Sequence, residues 1–225
     1  MTEILYKSKN AVVIYKEAGI PSQSDPSGDP DAMTLTSEQL RSMGENPNLW
    51  LIHRLDRVVG GLLIFARNKK SAALLSEYVK DRLITKEYYA VVEGEAPDAT
   101  LEDFLYRDAR AGKAFIVDKE RNGAKCARLS YVTLATAETE KDKKTLIYVT
   151  LDTGRFHQIR AQLSHSGHPI SGDGKYGSHD NKAKKVALMS SHLAVDLPGE
   201  KIDVSRRPDL ESYPWSLFSA DDYRL

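Results

Sequence analysis

"LIHRLDRVVGGLLIFA", residues 51–66, sets His53, Arg54 and Asp56 directly ahead of an apolar run, with Gly60 and Gly61 between them. The segment "GLLIFAR" is short, wholly apolar before its last residue and led in by glycine, which reads as a buried β-strand. Two readings fit the charges at its mouth. They form a surface ion pair capping the strand, or the core holds a carboxylate still for chemistry. If the charged stretch is extended, Arg54 and Asp56 share a face. The glycines allow close backbone approach or unusual angles.

Working outward, "NAVVIYKEAGI" (10–20) reads as a strand ending in a turn at Gly19, and "PSQSDPSGDPD" (21–31) as a loop. "TSEQLRSM" (36–43) carries a Thr/Ser cap and a nearby Gln, so it opens a short helix. "NKKSAALLSEYVKDRL" (68–83) has helical periodicity, with Ala72, Leu75, Val79 and Leu83 on one face. "EYYAVVEGE" reads as a strand that stops at Gly94. "KAFIVD", "CARLSYVTLAT" and "TLIYVTLDTG" are strand-like, with "ETEKDKK" as a hairpin loop between the last two. "RFHQIRAQLSHSG" reads as a helix with Phe156, Ile159 and Leu163 on one face and a stop at Gly167; "HPISGDGKYGS" is a loop. Strands outnumber helices and do not alternate with them regularly. The expected class is α+β, with a largely antiparallel sheet rather than a doubly wound one.

Composition narrows the function class. The chain has 225 residues, 41% hydrophobic and 28% charged, enough for a sizeable core. No stretch has the apolar length of a membrane span, and "MTEILYKSKN" lacks the apolar region of a secretory signal, so the expected location is cytoplasmic. Cys126 is the single cysteine, which excludes an internal disulfide and any multi-cysteine zinc site. The formal net charge is zero and supplies no bulk attraction for a polyanion. Basic runs at 67–70, 119–128 and 182–185 are local patches that fit a solvated surface equally well.

A second candidate cluster lies at 153–173, where Arg155, His157, Gln158, Arg160, Gln162, His165, His168 and Asp173 gather. On a helix, His157 and Arg160 are neighbours, and Arg155 and His157 stand near a helix start, where anions bind. The histidines and Asp173 invite a metal reading, but His165 and His168 lack the i, i+4 spacing of a helical zinc pair and Gly167 interrupts the helix between them. A satisfied polar helix end is the simpler account. The third cluster is Lys86, Tyr88 and Tyr89, whose adjacent tyrosines face opposite sides of a strand. By themselves both rings read as ordinary core residues.

Taken together, "HRLDRVVGGLLIFA", "KEYYAVVEG" and "GRFHQIRAQLSHSGHPISGDGKYG" resemble, in order and spacing, the motifs of the RluA-type pseudouridine synthases. The resemblance covers about residues 10–195. It implies a single catalytic domain over 1–225, with a mixed, largely antiparallel sheet, flanking helices and a central RNA-binding cleft. The C-terminal extension runs from 196 to 225, and no accessory RNA-binding domain is expected at the N-terminus. The chain departs from the family pattern where Val59 and Gly60 replace Thr-Ser and where Gln162 replaces His.

The resemblance implies isomerisation of uridine to pseudouridine in rRNA or tRNA, without cofactor or metal, by a protein expected to be monomeric and without a membrane partner. Asp56 would be the carboxylate that attacks C1′ or removes the C2′ proton. Burial disfavours an ionised acid, and Arg160 would counter that. Tyr88 would stack on the uracil and help deprotonate C5. Arg54 would fill the space of the flipped nucleotide. His53, Arg155, His157 and Gln158 complete the expected RNA-contacting set, with His53 more a support for its loop. The competing readings are a catalytically inactive RNA-binding protein on the same fold and a hydrolase using Asp56 with a histidine. The second leaves Tyr88 and Arg160 unexplained.

Overall fold

The computed structural model describes residues 2–118 and 123–224; the first four residues of the basic run at 119–128 lie outside them. The elements in chain order are β1 (Thr2–Lys7), β2 (Ala11–Lys16), α1 (Ala32–Ser42), β3 (Trp50–Leu51), β4 (Gly60–Ala66), α2 (Lys69–Lys80), β5 (Thr85–Glu93) and β6 (Ala99–Asp108). They continue with β7 (Lys113–Val117), β8 (Ala124–Glu138), β9 (Lys143–Leu151), α3 (Gln158–His165), β10 (Leu188–Leu197) and β11 (Glu200–Ser205). The class is α+β, and most strand pairs are antiparallel. The chain divides into two compact units, Met1–Lys86 with Met189–Arg206, and Glu87–Leu188 with Arg207–Leu225.

In the first unit the strand order is β1-β2-β4-β10, with β3 added to β4 and β11 to β10. β4 is buried along its whole length, as its unbroken apolar sequence requires. Its pairing with β10 is parallel, Met189 opposite Gly60 and Ser190 opposite Gly61. That contact explains one of the two glycines. Gly61 has φ +121°, and a Cβ there would stand 2.2 Å from the Ser190 carbonyl oxygen. The core of this unit joins Val13, Leu62, Ile64, Leu75, Leu193 and Ile202, so α2 covers one face of the sheet through Leu75.

Two helix expectations shift. α1 begins at Ala32, not in "TSEQLRSM", because Asp31 is the cap and its carboxylate accepts from the Thr34 N–H at 3.0 Å. α2 starts after the Asn68 cap as read, but it ends at Lys80; Arg82 then takes φ 61°, and Leu83 is 54% exposed rather than on the buried face.

The second unit has the order β5-β9-β8-β6-β7, antiparallel throughout. α3 rests on the β6–β7 side, where Leu105, Ala114, Ala127, Ala161 and Tyr176 form a small core. Phe156 precedes α3 and packs against this core from the loop.

Candidate active site

Asp56 lies in the loop between β3 and β4, which forms no strand. It is half-buried, Arg54 is exposed and Leu55 is buried. The loop is pinned from below by two residues. Ser22 Oγ donates to the Leu55 carbonyl at 2.8 Å and accepts from the Leu55 N–H at 3.0 Å. Lys16, at the end of β2, is fully buried. Its ammonium donates to the carbonyls of Ile20 at 2.8 Å, Glu17 at 3.2 Å, and Asp56 and Arg57 at 3.4 Å each. Burial lowers the Lys16 pKa to about 8, against the opposing pull of the Asp56 charge. A lysine is almost never fully buried without partners, and here the partners are the backbone of the Asp56 loop. Sequence reading missed Lys16; its only signal is a lysine closing an otherwise apolar strand, followed by a glycine turn.

His53 supports the same loop, since its Nε2 accepts from the Ile64 N–H at 3.4 Å. Burial, and then the nearby Lys86 charge, push its pKa down to about 3. It is a neutral imidazole at physiological pH that braces β4. Gly60 and Val59, where the chain departs from the family's Thr-Ser, are both buried; a Cβ on Gly60 would meet the Ala18 nitrogen at 3.3 Å, so the small residue suits this position.

In the second unit, Tyr88 and Tyr89 project to opposite faces of β5, as their adjacency requires. Both are buried. Tyr89 packs among aromatic rings, 5.0 Å from Tyr148 and 5.1 Å from Tyr223.

Arg160 is buried in α3 and forms a two-pronged ion pair with Asp173, Nε to Oδ2 at 2.6 Å and Nη2 to Oδ1 at 2.8 Å. Its guanidinium also lies 4.9 Å from the centre of the Tyr176 ring. Such a fork fixes the arginine's plane. Asp173 is therefore the orienting partner of Arg160. Among the described residues, no group of three or more His, Cys, Asp or Glu side chains is placed to hold a metal ion.

His157 caps α3 in the left-handed conformation, φ 52°. Its Nδ1 pairs with the Tyr176 hydroxyl at 2.9 Å, and its ring stacks on Phe156 with centroids 3.8 Å apart. Burial and the Arg160 and Lys175 charges bring its pKa down to about 3, so it too is neutral. Gln158 is held by the protein itself. Its amide is buried and engaged within the protein, accepting from the Thr153 hydroxyl at 2.8 Å and the Arg155 N–H at 2.9 Å, and donating to the Arg128 carbonyl at 3.0 Å. It shapes the turn before α3. Arg155 is exposed, and its Nε donates to the Cys126 carbonyl at 2.9 Å. Gln162 is buried and donates to Asp103 at 2.6 Å.

The fold is that of a pseudouridylate synthase. The human protein described as RNA pseudouridylate synthase domain containing 1 superposes with a TM-score of 0.78 at 25% identity, over 96% of this chain and 86% of that one. Human RNA pseudouridylate synthase domain containing 4 shares the fold with a TM-score of 0.75 at 23% identity, over 96% of this chain and 90% of that one. Residues 10–165 match the family model for RNA pseudouridylate synthase, and the chain belongs to that family, in its RluA-type branch. Its class is therefore that of an isomerase acting on RNA. The uncharacterized RNA pseudouridine synthase YjbO of Bacillus subtilis is 33% identical over 87% of this chain and 68% of its own length. Ribosomal large subunit pseudouridine synthase D of Borreliella burgdorferi is 31% identical over 86% of this chain and 61% of its own length. The tRNA pseudouridine synthase C of Haemophilus ducreyi is 32% identical over 80% and 76%. The chain spans about two thirds of the length of the first two.

Proposed function

We propose that this chain converts particular uridines of ribosomal or transfer RNA to pseudouridine, with Asp56 as the reacting carboxylate. The observation that carries the reading is the seat of Asp56. It is a half-buried acid on a loop whose backbone a buried ammonium and a buried hydroxyl hold against the head of a fully buried strand. Catalytic groups need placement within about 0.5 Å, and rigid elements supply it better than free loops.

In the reaction the N1–C1′ bond breaks, the uracil turns, and C5 bonds to C1′. The C5 proton leaves and N1 regains one, so the product is an isomer of the substrate and no electrons are exchanged. Asp56 serves at the sugar, either by attack at C1′ or by taking the C2′ proton. Tyr88 stacks on the uracil and assists loss of the C5 proton. Arg160, held in plane by Asp173, is assigned the part of the cation that the motif position implies. C1′ and C5 are hidden in stacked RNA, so the nucleotide must flip out; exposed Arg54 is assigned the vacated place and Arg155 a phosphate contact. His53 and His157 are supports for these groups.

The test is release of tritium from RNA carrying C5-tritiated uridine, with pseudouridine mapping of total RNA from cells with and without the gene to find the site. Asp56→Asn keeps size and hydrogen bonding but removes the charge. It should lower turnover by at least about 10⁴-fold while leaving the thermal midpoint within a few degrees. Substantial turnover by the folded variant would remove Asp56 from the chemistry, and RNA binding without any modified uridine in the wild type would favour the inactive RNA-binding alternative.

A further inference from the structure

The family model matches residues 10–165 and leaves the end of the chain without a role. Residues 207–224 nevertheless belong to the unit that carries Tyr88. They bury three aromatic side chains, Trp215, Phe218 and Tyr223. The segment is tied down along its length. Tyr213 donates its hydroxyl to Asp180 at 3.0 Å, Arg207 donates to the Tyr223 carbonyl at 3.3 Å, and the Tyr223 hydroxyl donates to the Trp215 carbonyl at 3.0 Å. Burial holds the Tyr223 hydroxyl above the usual tyrosine range, so it stays a donor.

What Tyr223 touches is specific. Its ring meets Tyr89 edge-on, at 79° and 5.1 Å. Tyr89 in turn lies 5.0 Å from Tyr148, its partner across the β5–β9 ladder. The Tyr148 hydroxyl donates to Glu87 at 2.9 Å, and Thr150 donates to the other Glu87 oxygen at 3.3 Å. The Arg224 guanidinium stands 5.9 Å from the Tyr148 ring centre. Glu87 and Tyr89 are the two neighbours of Tyr88 in β5, and side chains alternate along a strand. Both neighbours therefore point away from Tyr88, into one network that Tyr223 and Arg224 close.

We propose that residues 207–224 act as a backing for β5, with Tyr223 as a positioning residue that sets the height and tilt of Tyr88 against the uracil. This rests on the assignment of Tyr88 above. An ordinary core filler would have to be only apolar and of the right volume. Here a chain of rings and hydroxyls fixes both residues flanking the proposed catalytic tyrosine, and a displacement of about 1 Å in such a group costs on the order of a hundredfold in rate.

The experiment compares full-length Tyr223→Leu, Tyr223→Met and Tyr223→Phe. Single-turnover tritium release is measured with enzyme in excess, together with RNA affinity. Tyr223→Leu should slow the single-turnover step by on the order of tenfold to a hundredfold with affinity within about twofold of wild type, and Tyr223→Phe, which keeps the ring, should restore most of the rate. A folded Tyr223→Leu protein with the wild-type rate, or one whose defect lies only in affinity, would overturn the proposal. If circular dichroism shows that Tyr223→Leu does not fold, Tyr223→Met is judged by the same criteria. A readout independent of activity is the ¹³C-tyrosine spectrum, with the Tyr88 ring signal assigned by its loss in Tyr88→Phe. That signal should shift or broaden in the Tyr223 variants lacking the ring, and an unchanged signal overturns the backing role. If the wild type modifies no RNA, the functional reading fails, and this spectrum alone decides whether the segment positions Tyr88.

Discussion

At the residue scale, the roles proposed for the adjacent tyrosines of β5 can be told apart. Tyr88→Phe keeps the stacking surface and loses the hydroxyl, so RNA affinity should hold while tritium release from C5 falls at least about a hundredfold. Tyr89→Phe should instead lower the thermal midpoint with little effect on the single-turnover rate; loss of turnover in Tyr89→Phe would mean that the roles are exchanged. Lys16 carries a different prediction. Its pKa is about 8 in the folded protein and 10.5 ordinarily. Between those values the unfolded chain binds more protons, so the stability of wild type relative to Lys16→Met rises with pH through this window. The gain should reach on the order of 3 kcal/mol above pH 10.5, and be absent below pH 8. Urea titrations of both proteins at pH 7, 9 and 10.5 check it, and parallel curves would show that the ammonium feels no burial. Lys16 was illegible in sequence for a plain reason. A lysine at a strand end reads as solvent-exposed, and only the folded loop supplies the carbonyls that make its burial tolerable. The Arg160–Asp173 pair was illegible for a similar reason, because residues this far apart in sequence meet only in the folded chain.

The elements divide by how clean their pattern is. β4, β5 and α2 were legible because an unbroken apolar run or a helical stripe marks them. β6 was missed: its sequence ATLEDFLYRD mixes charged with apolar residues, and most of its side chains are only partly buried. β10 was missed because it begins LMSSH, and serines argue against a core strand. Ser190 and Ser191 are nonetheless fully buried, and Ser190 stands where β10 comes closest to Gly61. That approach makes the two glycines unequal. Gly61→Ala adds a Cβ 2.2 Å from a carbonyl oxygen in a left-handed backbone, whereas Gly60→Ala meets its nearest atom at 3.3 Å. Gly61→Ala should cost on the order of 3–5 kcal/mol, and Gly60→Ala about 1 kcal/mol or less, in urea unfolding. Equal costs would mean that β10 yields easily at this point.

On the scale of the whole molecule, the 32 basic and 32 acidic residues cancel. Many cations are spent on carboxylates: Arg67 pairs with Glu45, Arg128 with Asp152, Lys144 with Asp180 and Arg160 with Asp173. RNA affinity should therefore depend on a few arginines, with a logarithmic salt slope of about −0.7 for each single-stranded phosphate neutralised and specificity taken from RNA shape. Titrations across salt concentration should show a modest slope and weaker binding by Arg54→Ala; salt-independent binding would rule out phosphate contacts as the source of affinity. The connectivity of the first unit also sets a timetable for its assembly. β4 lies between β2 and β10, but Met189–Arg206 is made only after the whole of Glu87–Leu188. At about 5–20 residues per second, the roughly hundred intervening residues take on the order of 5–20 s to synthesise. Throughout that interval the strand that seats the Asp56 loop has one open edge on the ribosome. The β10 neighbour of β4 is thus among the last elements to be put in place, and a nascent chain that has not reached Met189 lacks the strand that stands opposite Gly60 and Gly61.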